Sequence, residues 1–550
     1  MIVQICGQGI VEKITQFFGG AMLLQEICIA EKGAGSQHFP DNQKSVVIAC
    51  RSVKLPSASI EMRSRITARA LVYGGVITLL ITFYVLLLGR GSGSWAGCFL
   101  GTDGSGPYGD LADAFVHGQT DLLVAPDASL LAVKNPREIY VTEERPPEIK
   151  FIWDYSYYKN SHSPSGRYYL YFGPGPALLF FCPPVLIAHF HPSTSLVLLI
   201  ISSLQVLVFA ALLWFLVADV FTLAPLWLEG VVLGVLGICD ITPAFLDRPQ
   251  VYELAVASGM LFSMACCFFL FRALISVRHR YLWMVLSGTS WGLAMSSRPV
   301  DVLLGAVLLL AWVYVVLGRD FKNARWDGIR SAICLFLPGI ICGLSLMYYD
   351  YVRFDNPFET GLKYQLNGIG NYDKIYFSLR NIPDGLWSYY LVPYQFVHQF
   401  PFIDYWNYSP SFIYGTNLKD FHTGLLTSFP ICLVGFAWPY FVSKMQDAPA
   451  RKVAAVFGWL VSAWMVVIML CLSAYFVIAF RHEAELLWPM LLLFAIAVLA
   501  RRHALGPFNK WELAVLSLLV IYSCLIGFIY GLIGPWRWIE DYMNHGAPGS

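Results

Sequence analysis

Ala70-Leu71-Val72-Tyr73-Gly74-Gly75-Val76-Ile77-Thr78-Leu79-Leu80-Ile81-Thr82-Phe83-Tyr84-Val85-Leu86-Leu87-Leu88 carries no charged residue. The hydrocarbon core of a bilayer is about 30 Å thick and takes about 20 apolar residues to cross as a helix, so this stretch reads as a transmembrane span. Similar runs recur to the C-terminus. The sequence therefore predicts an all-α polytopic membrane protein of about 11–12 transmembrane helices. Composition agrees, since apolar residues make up 57% of the 550 and charged residues 13%, outside the range of soluble domains. The formal net charge of +1 leaves no basic surface for nucleic acid, and no zinc-finger or Walker spacing occurs. Most cysteines lie in or beside apolar runs, and Cys98 is alone in its loop, so no disulfide framework is expected.

Arg63, Arg65 and Arg69 precede the first span, and the positive-inside rule puts them in the cytoplasm. The clusters Arg278 to Arg280, Arg319 to Arg330, Lys444 to Lys452 and Arg501 to His503 can all face the cytoplasm with them. Two long gaps, about 89–169 and 353–422, then share the external face. One parity conflict arises between the first gap and Arg278, where four apolar runs stand and an odd number of crossings is required. The run from Tyr171 to Phe190 carries Pro174, Pro176, Pro183 and Pro184, and interior prolines remove backbone bonds and clash with the preceding turn. A re-entrant or interfacial segment is expected there. Residues 1–61 lack helical periodicity and read as an N-terminal extension, with translation from Met62 as an alternative start; residues 62–550 form the membrane domain.

The first gap contains Gly101-Thr102-Asp103-Gly104-Ser105-Gly106-Pro107-Tyr108-Gly109-Asp110-Leu111-Ala112-Asp113-Ala114-Phe115. Asp103 stands in a glycine-rich turn. From Tyr108 the pattern is a short amphipathic helix, with Tyr108, Leu111, Ala112 and Phe115 on one side and Asp110, Asp113 and His117 around the other. These carboxylates can act as bases, or simply solvate the loop and cap the helix. Trp153, Asp154, Tyr155, Tyr157, Tyr158, Tyr168 and Tyr169 can stack on sugar faces or anchor as an aromatic belt at headgroup level; Trp153, Asp154 and Tyr158 are the candidates for sugar contact. Arg481 and His482 stand at the external end of a late span, where a lipid phosphate would emerge. An arginine fork suits phosphate oxygens, the alternative being a snorkelling residue paired to Glu485. Arg298 has the same two readings, with Asp301 as its structural partner. His189 and His191 lack a third ligand, so no metal is assigned.

An acidic turn followed by a Tyr-containing juxtamembrane helix soon after the first span resembles the first external loop of the GT-C superfamily, particularly the protein O-mannosyltransferase and lipid A aminoarabinose transferase branch. Gly104 stands where that pattern has Glu. Gly166-Arg167-Tyr168-Tyr169-Leu170-Tyr171-Phe172-Gly173-Pro174-Gly175-Pro176 and Arg353-Phe354-Asp355-Asn356-Pro357-Phe358-Glu359 resemble stretches of uncharacterised multi-spanning bacterial proteins of the same superfamily. The resemblance runs from about Arg69 to the last spans. It implies an inverting glycosyltransferase without a cofactor, in the bacterial inner membrane. The donor would be a polyprenyl-phosphate-linked sugar and the acceptor a lipid, glycan or protein. Asp103 would be the base, with Asp110 and Asp113 as alternatives, and Arg298, Arg353, Arg481 and His482 would bind substrate. The absence of a Rossmann fingerprint agrees with a lipid donor. A transporter or flippase of lipid-linked saccharides is the competing class, and a structural subunit the third.

Overall fold

The computed structural model describes residues 56–91, 97, 99, 105–126, 155–161, 163–247, 249–317, 321–366, 377–396, 403–404, 418–419 and 422–533. Among them, eight helices are long and apolar enough to cross a membrane. These lie in α1 (Pro56–Gly91), α4 (Thr194–Asp219), α6 (Val251–Ile275), α8 (Leu304–Leu317) with the 3-10 turn Pro299–Leu303 before it, α9 (Phe321–Phe354), α10 (Ala448–Ala474), α11 (Phe480–Leu505) and α12 (Lys510–Ile533). Shorter apolar runs cover Ala177–Ala188, α5 (Leu226–Ile238) and Cys432–Ser443, and α7 (Arg280–Ser297) links α6 to α8. The chain is an integral, multi-pass, all-α membrane protein.

The described residues divide into two compact units, residues 56–79 with Pro225–Gly230, and Leu80–Ala224 with residues 231–533. In the smaller, Arg69 grips the buried Glu229 carboxylate through Nε at 2.9 Å and Nη2 at 3.1 Å. The basic residue expected beside the first span is thus neutralised inside the protein. The helix begins at Pro56, ahead of Met62; residues 1–55 lie outside the described ones.

In the larger unit α11 is the central post. The apolar stretch of α11 is wholly buried, whereas those of α9 and α12 are 17% and 22% buried. A helix apolar on all sides can sit either in a core or in lipid, and the contrast separates the two: α9 and α12 present most of their apolar surface to the membrane. Near the expected cytoplasmic end, Arg272 of α6 pairs with Asp219 at the end of α4 and Arg501 with Glu512.

The Tyr171 to Phe190 run is a π-turn, Ala177–Phe181, leading into α3 (Cys182–Ala188). Twelve helical residues rise about 18 Å, too little to cross a 30 Å core. The helix ends at His189, whose φ of 49° reverses the chain, and Pro192 and Ser193 lead into α4. This geometry suits a re-entrant or interfacial segment, although α5, with thirteen residues, is also too short to cross as a straight helix. The first gap supplies α2 (Gly106–Val116), whose Tyr108, Leu111, Ala112 and Ala114 are buried while His117 is exposed.

A hairpin follows that periodicity does not announce. Strands β1 (Tyr155–Asn160) and β2 (Ser163–Leu170) pair antiparallel, with Tyr157 opposite Tyr168. Side chains alternate across a strand, so Tyr155, Tyr157 and Tyr168 share one face, with ring centroids 5.8 and 6.3 Å apart. Tyr158 and Tyr169 share the other, against Phe354. The second gap joins this sheet: Leu366 N–H donates to Tyr155 O at 3.0 Å, and Ser156 Oγ donates to Gly361 O at 2.8 Å. The described segments 155–170 and 361–366 of the two gaps therefore meet in one sheet, and both gaps are expected on the external face. Single cysteines at the exposed His117 and Phe358, in a background without native thiols, should label with an impermeant reagent on intact cells. One at Val277, beside the opposite basic cluster, should stay unlabelled.

Candidate functional site

The outer ends of α6, α7, α9 and α11 meet the α2 helix and the hairpin, and the sequence-predicted residues that the structure describes gather there. Asp103, Trp153 and Asp154 lie outside the described residues.

Asp110, on α2, accepts a hydrogen bond from the Tyr155 hydroxyl. Burial pushes its carboxyl above the usual range, the Tyr155 bond opposes that shift, and the neighbouring Asp113 adds to it. A raised acid pKa means that ionisation costs the folded state more than the unfolded one. Stability on this account is full below the ordinary carboxylate range near pH ~4 and falls as pH rises through the raised value. Asp110→Asn keeps an acceptor for Tyr155 and should flatten that part of a melting-temperature profile against pH. Asp113, one turn further along α2, lies 3.4 Å from His191 Nδ1.

Arg298 caps the C-terminus of α7. Its Nε and Nη2 each donate to the Glu485 carboxylate at 2.9 Å, a bidentate pair that is strong because the fork matches the carboxylate. This contact joins α7 to α11 across the bundle, beside the local neighbours that the sequence offers, Arg481 for Glu485 and Asp301 for Arg298. Gly259 of α6 makes it possible: a Cβ there would stand 2.8 Å from both Arg298 Cγ and Asp301 Oδ2. Asp301 accepts from Ser263 Oγ at 3.2 Å, while its buried Oδ2 has no hydrogen-bond partner among the described residues. Gly173 seats the turn that follows the hairpin, because a Cβ would fall 2.1 Å from Ser296 O.

Arg353 is spent on architecture. Its Nη1 donates to Leu170 O and its Nη2 to Asp350 Oδ1, both at 2.5 Å, and its guanidinium lies 3.9 Å over the Tyr349 ring. Asn160 Nδ2 donates to Arg353 O at 3.1 Å, and Ser161 donates to Asp355, so the hairpin is tied to the end of α9. Tyr158 stacks on Tyr364 at 4.4 Å. Its hydroxyl pKa is raised by burial and by that neighbour.

Arg481 is partly exposed and lies 4.8 Å over the Tyr252 ring, a cation–π contact. Tyr252 in turn accepts from Gln365 Nε2 at 3.3 Å and meets Phe172 edge-on at 5.1 Å. A continuous row of contacts thus runs from Asp110 through Tyr155 and the 361–366 segment to Tyr252 and Arg481. His482 is buried, its Nδ1 3.1 Å from the Tyr389 hydroxyl. Among the described residues no three His, Cys, Asp or Glu side chains gather as a metal-binding group. Glu485, Tyr252 and Gln365 are site residues that the sequence reading did not select; their signal is the polar residue at or near the outer end of an apolar span.

No protein-family model matches the chain, and no curated protein matches its sequence. Among solved structures, it is similar to the apo oligosaccharyltransferase of Archaeoglobus fulgidus, with 12% identity and a TM-score of 0.45 over 86% of this chain and 58% of that one. It is similar also to the archaeal oligosaccharyltransferase of that organism in complex with an inhibitory peptide and a dolichol-phosphate, at 13% identity and a TM-score of 0.42 over 87% and 58%. A third similar structure is the A. fulgidus enzyme tethered to an acceptor peptide, at 14% and 0.45 over 86% and 57%. The chain spans under three fifths of the length of these proteins. At these identities and scores the likeness carries no argument, and the chemistry of the site rests on its own residues.

Proposed function

We propose that the chain is an inverting membrane glycosyltransferase that moves a sugar from a polyprenyl-phosphate donor to an acceptor at the external face of the bacterial inner membrane. The observation that carries this reading is the meeting, at one end of the spans, of a carboxylate-bearing helix, a tyrosine-rich hairpin and a partly exposed arginine on an aromatic ring. A lipid-linked donor needs its three parts handled in three media. The polyprenyl chain stays among apolar helices, the phosphate needs positive charge where it leaves the bilayer, and the sugar must meet a base reachable from water.

In the proposed reaction a carboxylate of the first loop, Asp103, takes the proton of the acceptor as it attacks the anomeric carbon. The bond to the lipid phosphate breaks, and the configuration inverts. Arg481 stabilises the departing phosphate, with Tyr252 holding the guanidinium at the rim. Arg298 lies deeper and is neutralised by Glu485, which suits it to shaping the site. Arg353 positions the hairpin.

The Arg481 role is tested by two substitutions. A phosphate clamp loses its fork in Arg481→Lys and its charge in Arg481→Ala, so donor affinity should fall in the first and fall further in the second. A snorkelling anchor needs only a long cationic stem, so wild-type affinity in the lysine variant would remove Arg481 from the phosphate site.

A further inference from the structure

Two tyrosines of this region bury hydroxyls that have no hydrogen-bond partner among the described residues. Tyr108 is 1% exposed, and its hydroxyl has no hydrogen-bond partner among the described residues; the buried hydroxyl of Tyr349 has none either. Buried polar atoms are nearly always paired, and each exception calls for a reason. These two lie along one wall. Tyr108 and Phe115 are seven residues apart on α2 and so share a face, and Phe115 meets the Tyr349 ring edge-on at 5.9 Å. Tyr108 packs against Phe172 and Phe181, both at 6.3 Å, and Phe172 continues to Tyr252, under Arg481.

We propose that the Tyr108 and Tyr349 hydroxyls form the subsite that recognises the sugar of the lipid-linked donor. The inference rests on the glycosyltransferase reading and names the part of the substrate that α2 reads. A sugar presents hydroxyls around a ring whose C–H faces suit aromatic walls, and phenols both donate and accept. An anion would instead demand an available cation. The nearby guanidiniums are already engaged, Arg298 by Glu485 and Arg353 by Asp350, so these hydroxyls suit a neutral polar group rather than a phosphate. Electrostatics agree with the placement: burial pushes the Tyr108 phenol up, Arg298 opposes the shift and Tyr349 adds to it.

The test uses Tyr108→Phe and Tyr349→Phe in the full-length protein in lipid nanodiscs. Binding is measured with a short-chain polyprenyl phosphate and with its glucosyl, mannosyl and galactosyl derivatives. An unpaired hydroxyl contributes nothing to the ligand-free protein, so both variants should melt at or above the wild-type temperature. Affinity for the preferred glycosylated lipid should fall about five- to tenfold for each hydroxyl, while affinity for the sugar-free phosphate stays the same. Equal weakening toward both lipids, no weakening at all, or a lower melting temperature without ligand would each overturn the subsite. If the wild type binds the sugar-free lipid and shows no preference for any glycosylated one, the subsite fails and the phosphate site stands. If it binds neither, the glycosyltransferase reading falls and takes the subsite with it.

Discussion

Asp103→Asn should lower sugar transfer by at least about a hundredfold, the usual contribution of a positioned general base, with the protein still accumulating in the membrane. The substitution keeps size and hydrogen-bonding capacity and removes basicity, so loss of turnover without loss of protein isolates the proton transfer. Asp103 precedes α2 in the sequence, in a glycine-rich stretch that reads as a turn, and a carboxylate there is proposed to meet an acceptor from water while the donor stays in the bilayer. The two other carboxylates of the loop are internal comparisons. Asp110 is held by Tyr155 and Asp113 pairs with His191, so each already has a local structural partner. If Asp103→Asn stays active and Asp110→Asn or Asp113→Asn is dead, the base is that residue and the mechanism stands. Full activity in all three would refute the transferase reading.

The second large effect is on stability. Arg298 and Glu485 form a buried bidentate pair, 15% and 5% exposed at their side chains, joining α7 to the central helix α11. Removing one partner leaves the other charge buried and uncompensated, which costs about 3–5 kcal/mol. That is a large part of the stability of a typical protein. Arg298→Ala and Glu485→Ala should each lower the melting temperature sharply in detergent. Replacing both with apolar residues of similar volume, Arg298→Met with Glu485→Leu, removes the two charges together and should recover most of the loss. The same double variant separates roles: restored stability with absent donor binding would make Arg298 part of the ligand site. Restored stability with intact binding would leave it a strut.

The spans were legible because bilayer thickness imposes a length on every helix, and the proline-rich run from Tyr171 was legible as the odd one because prolines break that regularity. The basic clusters lead to the expectation of one shared face for the two gaps, and the described segments 155–170 and 361–366 do meet. The hairpin was not legible: Tyr155 to Tyr158 and Gly166 to Leu170 serve equally well as a belt of membrane anchors, and only their pairing with each other and with Gln365 makes them a sheet. Partners within the site were misjudged for a related reason. Sequence spacing offers Arg481 to Glu485 and Arg298 to Asp301 as neighbours, four and three residues apart, whereas the pair that forms joins residues 187 positions apart. Helix packing decides such contacts, and the space left by Gly259 is invisible until α6 and α7 are side by side. Arg353 reads in sequence as one more external cation, and what neutralises it is Asp350 of its own helix together with a strand carbonyl from the first gap.

The most direct measurement follows the lipid. Purified protein in nanodiscs, given a radiolabelled polyprenyl-phosphate sugar and a membrane extract as the source of acceptor, should release free polyprenyl phosphate and pass the label to a second molecule, with Asp103→Asn doing neither. Donor that remains intact, or that in sealed vesicles moves from one leaflet to the other with its sugar still attached, would contradict the glycosyltransferase account and favour a transporter.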